Sequence, residues 1–215
     1  REYHRRYVDL LENTTKELGD VRFRAPDAFY NGHRRAVNFA GEEYLSAKVK
    51  RAIQILRKGS CLLYTNWLQF GVEAVSKMLD AEGIGYVVFS SETSQAERQR
   101  GLESFNAGKT KVLLLTKAGG EGLDLRGVKS VVVLDPPWNN AGLKQIVGRA
   151  VRFRSHAHLP AKERVVHVYL MVLTHPRSVA KEELSGDQIM YEIIAKKAET
   201  EAEVAELLQN FSVNG

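Results

Sequence analysis

KVLLLTKAGGEGLDLRGVKSVVVLDPPWNNAGLKQIVGRAVRFRSH, residues 111–156, decides how the rest of the chain is read. Two apolar runs of β-type residues, Val112 to Leu115 and Val131 to Leu134, each deliver a polar loop at the C-terminal end. Open α/β sheets place their ligands at that edge. A glycine-rich turn after the first run, an acidic DPPW corner after the second (Asp135 to Trp138) and an arginine-bearing helix therefore converge on one side of a sheet.

Outward from this stretch the alternation of strand and helix continues. Upstream, Leu45, Val49, Ala52, Ile53 and Leu56 recur at helical spacing between Glu43 and Lys58, and Gly59 closes the helix. A strand, Cys61 to Thr65, follows, and then a helix that Asn66 can cap, with Leu68, Val72, Val75, Met78 and Leu79 facing inward. Gly83 to Gly85 end it before a second strand, Tyr86 to Ser90. Ser94-Gln-Ala-Glu97 is a capping box that starts a helix running to about Asn106. Downstream, a helix is predicted over Ala141 to Phe153 and a last strand over Arg164 to Leu173. This order predicts an α/β fold, a mostly parallel, doubly wound sheet with right-handed crossovers.

At the ends the pattern changes. Tyr3, Tyr7, Leu10, Leu11, Thr14 and Leu18 mark one face of an N-terminal helix, and Asp20 to Gly41 reads as irregular. A long helix over Gln188 to Leu208, with Ile189, Ile193, Ile194, Val204 and Leu208 as its stripe, reads as a docked appendage, and the charges of its AKKAETEAE segment as a solvated face. The expected division is an N-terminal helix and linker over 1–42, the α/β domain over 43–174 and a C-terminal helical extension over 175–215.

With 215 residues, 44% apolar and 27% charged, the chain supports one ordinary core. Its 31 Lys and Arg against 26 Asp and Glu give a net charge of +5, a modest tilt toward polyanionic partners. The single cysteine, Cys61, excludes an intrachain disulfide framework and fits a buried position and a reducing, intracellular compartment. No apolar run approaches the ~20 residues that span a bilayer. A start at Arg1 is the expectation for a segment of a longer protein.

Three local patterns invite other readings. Ala107-Gly108-Lys109-Thr110 ends like a phosphate-binding P-loop, but the first glycine of that motif falls on Glu103 and the segment links helix to strand, so Gly108 reads as a helix terminator. The DPPW corner matches that of amino-methyltransferases, where the acid and a proline carbonyl grip an exocyclic amine, yet only LDLRGV separates Gly122 from Lys129, too little for the βα units such enzymes place between cofactor loop and corner. His156, His158 and His167 have no third ligand at a recognisable spacing, so no metal site is assigned and they read as surface histidines.

Gln145, Arg149 and Arg152 stand at offsets of four and three, one face of a helix directed at the loop edge. Arginines held so can stabilise charge developing on a transferred phosphoryl group. The bland alternative is a basic helix face in solvent. The Thr116-Lys-Ala-Gly-Gly-Glu-Gly-Leu-Asp124 loop favours the first, since its glycines permit close backbone approach to a phosphate or ribose and Asp124 can orient an arginine or a hydroxyl.

The ordered set CLLYTNW, GYVVFSSETSQAERQRGLESFNAG, LLLTKAGGEGLDL, LDPPWN and QIVGRAVR resembles the second RecA-like lobe of superfamily 2 helicases and translocases, Swi/Snf-like in flavour, over about residues 45 to 173. RFRSHAHLP with RVVHVYLMV, and the tail SGDQIMYEIIAKKAE, resemble the ATPases and early transcription factor subunits of large cytoplasmic DNA viruses. Asp124 stands where many Swi/Snf proteins carry asparagine, and Phe153 to His156 replace their usual continuation.

The resemblance implies that Arg149 and Arg152 are arginine fingers, that Gly119, Gly120, Gly122, Asp124 and Gln145 neighbour ATP, and that Thr65, Asn66, Thr116 and Lys117 meet a nucleic-acid backbone, DNA before RNA. Arg98 would be an accessory-motif arginine or a surface charge, and Trp138 a stacking residue or strand-end packing. With no P-loop or DExx box in the chain, Mg²⁺ and the phosphates would be held on a first RecA-like lobe, leaving this segment inactive by itself. Transcription machinery is an expected partner, and host cytoplasm or virion the expected location. The alternatives are a non-catalytic nucleic-acid or partner-binding module with a degenerate nucleotide site and a DPPW-type amino-methyltransferase.

Overall fold

The computed structural model describes residues 35, 37–38, 45–119, 123–152, 155–174 and 184–211, with side chains to residue 205. The predicted N-terminal helix lies outside the described residues, as do Gly120 and Gly122.

Helix α1 (Ala47–Leu56) is capped by Ser46, whose hydroxyl accepts from the Val49 amide, and leads into strand β1 (Cys61–Tyr64). A π-helical turn over Leu68–Glu73 opens directly into α2 (Ala74–Ala81), followed by β2 (Tyr86–Phe89). Helix α3 (Gln95–Asn106) starts at the predicted capping box, both halves of which are made by Ser94 and Glu97. Gly108, at φ 71°, ends it, which only a residue free of a Cβ adopts without strain. Strands β3 (Val112–Leu115) and β4 (Ser130–Val133) bracket the glycine loop, and α4 (Asn140–Ala150), β5 (His167–Leu170) and α5 (Gly186–Phe211) complete the order.

The five strands are all parallel, in the order β2-β3-β1-β4-β5. From β1 the chain passes to β3 and β2 on one side and returns to β4 and β5 on the other. The C-terminal ends of β3, β1 and β4 therefore lie side by side where the winding reverses, the place at which such sheets leave a crevice.

Strand alternation divides the core in two. Cys61, Leu63, Val112, Leu114 and Val132 pack with Val49, Ile53 and Leu56 of α1 and Val75 and Leu79 of α2. Leu62, Tyr64, Leu113, Leu115, Val131 and Val133 pack with Phe105 of α3 and Ile146 and Ala150 of α4. Helices on both faces are why CLLY and VLLL are buried at every position and read as apolar runs without alternation.

Three boundaries differ from the sequence reading, each for a physical reason. Asn66 does not cap the helix after β1. The Thr65 hydroxyl accepts from Trp67 N instead, and the first turn is wide, with Val72 N donating to Trp67 O. Strand β5 is four residues rather than ten. Before it Arg164 binds the carbonyls of Leu159 and Ala157 in a turn, and after it the Leu173 amide donates to the side chain of Asp187 instead of a ladder. Helix α4 stops at Ala150, with consequences for Arg152 described below.

Candidate functional site

A cleft of about 250 Å³ opens at the C-terminal ends of the central strands. Asn66 follows β1, Thr116 and Lys117 follow β3, Trp138 follows β4, and Gln145 and Arg149 come from α4. Six residues singled out by sequence thus share one cavity: Asn66, Thr116, Lys117, Trp138, Gln145 and Arg149. Lys117 and Gln145 are exposed and Arg149 is half-buried. Among the described residues none of these three has a hydrogen-bond or ion-pair partner through its side chain, so the described cleft wall carries an ammonium, an amide and a guanidinium that no described residue engages. Asn66 is braced: Tyr64 Oη donates to its Oδ1 (3.0 Å) and its Nδ2 donates to Pro136 O (3.2 Å). Trp138, half-buried, closes the β4 side. Asn139 holds the start of α4 by accepting from Gly142 N (2.8 Å).

Behind this wall the edge is sealed. Asp135, the acid of DPPW, is 0% exposed. Its Oδ1 accepts from Asn38 Nδ2 (2.6 Å), and its Oδ2 accepts from the Thr65 hydroxyl (2.5 Å) and the Asn66 amide (3.1 Å). An acid so enclosed cannot grip a substrate amine, which removes the methyltransferase reading. The same bonds correct the placing of Thr65 at a nucleic-acid backbone, because its side chain is 0% exposed and committed to Asp135. It also packs so tightly against Gly71 that a Cβ there would come within 2.0 Å of Thr65 Oγ1.

The glycine loop behaves likewise. A Cβ on Gly119 would lie 1.9 Å from the carbonyl oxygen of Phe89, so the close approach this glycine permits is to the end of β2 and not to a ligand. Arg98 fixes the same junction, reaching from α3 to the carbonyls of Ser90 (2.7 Å), Thr93 (3.2 Å) and Gly119 (3.4 Å). It is neither a free surface charge nor a ligand-facing arginine. Thr116 is buried and anchored to β2 through its amide, which donates to Phe89 O (3.0 Å). Asp124 is exposed and its backbone carbonyl accepts from Asn106 Nδ2 (2.9 Å), placing it off the cleft lining.

Arg152 does not share a helix face with Gln145 and Arg149. After Ala150 the backbone leaves the helix at Val151 (φ −116°, ψ 74°), and the buried Ser155 hydroxyl accepts from Arg152 N (3.3 Å). His156 locks this turn. Its Nε2 donates to Val128 O (2.8 Å) and its Nδ1 is hydrogen-bonded to Ser155 Oγ (2.8 Å), so it is a buried structural histidine and not a surface one. The Arg152 guanidinium then falls on Leu123 O (3.2 Å), at the far end of the glycine loop.

Sequence reading missed two residues that organise the edge. Lys48, 3% exposed, places its Nζ 2.7 Å and 2.9 Å from the carboxylate oxygens of Asp187 and 3.6 Å from Asp135. Burial pushes the Asp187 carboxyl up, against the opposing pull of Lys48. No local pattern announces a pairing across 139 positions. Ser185 and Gln188, which cap α5 reciprocally at 3.0 and 3.2 Å, did carry a readable S-x-x-Q signature.

Residues 47–154 match the helicase conserved C-terminal domain. The chain is 30% identical over 173 residues to "Putative ATP-dependent RNA helicase L538" of Acanthamoeba polyphaga mimivirus, covering 80% of this chain and 38% of that protein. It is 28% identical over 201 residues to nucleoside triphosphatase I of Melanoplus sanguinipes entomopoxvirus, covering 84% of this chain and 31% of that protein. The chain thus spans about a third of the length of these curated relatives. Among solved structures, the C-terminal part of the Fun30 ATPase domain superposes with a TM-score of 0.56 at 16% identity, over 69% of this chain and 45% of that one. The C-terminal domain of the DEAD-box protein Dbp5 gives 0.50 at 19% identity, over 70% and 77%. At these identities the structural likeness establishes the RecA-like fold, and the family match goes further: the chain belongs to the helicase conserved C-terminal domain family.

Proposed function

We propose that the chain is the C-terminal motor lobe of an ATP-dependent nucleic-acid helicase or translocase. The observation that carries this reading is the cleft in which Asn66, Thr116 and Lys117 stand across from Gln145 and Arg149. Lys117 and Asn66 offer charge and hydrogen bonds to a phosphodiester backbone, contacts that position a strand without reading its sequence. Arg149 offers a guanidinium that no described residue engages, the state required of a group that must meet a γ-phosphate.

The residues present fit one end of a nucleotide. Arg149 and Gln145 suit terminal phosphate oxygens, whereas Gly119, filled by the carbonyl of Phe89, offers no phosphate cradle. The cradle and the Mg²⁺ ligands belong, in this reading, to a facing lobe. Arg149 serves as the arginine finger. Arg152 joins it on exchanging the Leu123 carbonyl, 3.2 Å away, for a phosphate oxygen, which would couple nucleotide state to the glycine loop.

Nucleic acid is proposed without preference between DNA and RNA. The backbone contacts are common to both, and a relative named as an RNA helicase does not favour the DNA expected from sequence. A role in viral transcription, in host cytoplasm or virion, is proposed from the sequence resemblance alone.

Arg149→Ala in the full-length protein is expected to lower nucleic-acid-stimulated ATP turnover by about 10³-fold or more, as for loss of an arginine finger. Turnover at the parent rate would overturn the assignment and favour the non-catalytic binding module.

A further inference from the structure

The buried corner behind the cleft is continuous with the root of α5. Asp187, the second residue of α5, accepts from the Leu173 amide (2.8 Å) and from Lys48 Nζ (2.7 and 2.9 Å). Lys48 Nζ is also 3.6 Å from Asp135. Asp135 in turn receives the Asn66 amide and the Thr65 hydroxyl, and Asn66 lines the cleft. All three charged groups are at most 3% exposed, so water does not stand in for a missing partner. One ammonium thus serves two carboxylates, held close to Asp187 and further from Asp135. The position it takes between them depends on whether Asp187 is seated.

We propose that Lys48, Asp135 and Asp187 are positioning residues that tie the docking of the C-terminal helix to the shape of the nucleic-acid track at Asn66. The inference rests on the motor-lobe reading for what the track binds. With Asp187 in place, Lys48 is drawn to α5, and Asp135 directs Oδ2 at the Asn66 amide and the Thr65 hydroxyl. When α5 leaves, or Asp187 loses its charge, Asp135 becomes the sole carboxylate available to the ammonium. Lys48 then closes on Oδ1, the oxygen that also accepts from Asn38, and turns the carboxylate whose Oδ2 holds the Asn66 amide and the Thr65 hydroxyl. Asn66, braced between Tyr64 and Pro136, shifts with its own amide, and the α5 root becomes a point from which a partner or a neighbouring segment can alter grip on the strand without touching it.

The test uses Asp187→Asn, an isostere that keeps an oxygen for the Leu173 amide, in the full-length protein. The probes are a labelled single-stranded oligodeoxythymidine and its uridine counterpart, read by anisotropy and by half-saturation of stimulated ATP turnover. Both constants should weaken about tenfold, the size of one lost well-aligned hydrogen bond, while unstimulated turnover stays at the parent value. Lys48→Met with Asp187→Leu, an apolar pair in place of the ionic one, removes the ammonium that would close on Asp135, so it should bind as the parent does and keep the melting temperature within a few degrees. Lys117→Ala reports on the motor-lobe reading itself. If Lys117→Ala weakens binding while Asp187→Asn binds as the parent does, or if the paired variant is weakened as much as Asp187→Asn, the relay is overturned and the reading stands. If none of the three weakens binding, both are overturned.

Discussion

Two regions a few residues apart meet at the sheet edge and are chemically opposite. In the corner around Asp135 both carboxylate oxygens are engaged and the side chain is 0% exposed. In the cleft in front of it, the exposed Lys117 and Gln145 and the half-buried Arg149 have no side-chain partner among the described residues. The contrast separates building from binding. Thr65, Gly119 and Arg98 hold the edge together, whereas Asn66, Lys117, Gln145 and Arg149 are what the edge presents.

Breaking the sealed side should cost the most. Asp135→Ala leaves the Asn38, Thr65 and Asn66 donors without their acceptor and Lys48 with Asp187 alone, and urea unfolding should show a loss of about 3–5 kcal/mol. A loss below about 1 kcal/mol would mean the corner is solvated and the contrast false. Gly119→Ala comes next. The new Cβ meets Phe89 O, the loop must lift from β2, and a loss of about 1–3 kcal/mol is expected together with lowered nucleic-acid stimulation.

The open side should respond the other way. Arg149→Ala, expected to lower turnover, should leave stability within about 0.5 kcal/mol of the parent. A large destabilisation would show that the guanidinium is structural and erase the distinction.

The smallest effect is read at the opposite end of β1. Cys61 is 1% exposed, and burial pushes its thiol up to about 11, with a Ser130 hydrogen bond pulling the other way. Because the folded value is raised, this contribution to stability is complete below the unfolded thiol range near 9.0 and is lost as pH climbs toward 11. Alkylation at mildly alkaline pH should therefore proceed only as fast as the chain unfolds. Rapid labelling of the native chain would show that the N-terminal end of the sheet is open as well.

What sequence made visible, and what it hid, follows the range of the forces involved. Periodicity located the three buried strands, the half-buried β2 and the helices between them, and the Ser94–Glu97 box and Gly108 marked both ends of α3, because those signals act over three or four residues. The ordered loops brought Asn66, Thr116, Lys117, Gln145 and Arg149 to one edge through the topology alone. The failures are long-range or downstream. Thr65 looked available until Asp135, 70 positions later, took its hydroxyl. Arg152 looked helical until Ser155 accepted its amide and His156 locked the turn. Arg98 gained its role only through carbonyls up to 21 residues away.

Among the described side chains the final helix is buried only near its root. Asp187 and Met190 are 0% exposed and Ile194 is 5% exposed, and from Ala195 to Ala205 the side chains are exposed apart from half-covered Ala198. Beyond Ile194 the helix continues to Phe211, about 25 Å at the rise of an α-helix. It is a lever with its fulcrum beside Lys48. A tilt of about 10° at the fulcrum carries the tip, about 36 Å from Asp187, roughly 6 Å, and run in reverse, a modest push on the tip arrives at the buried root as a small movement under a large mechanical advantage.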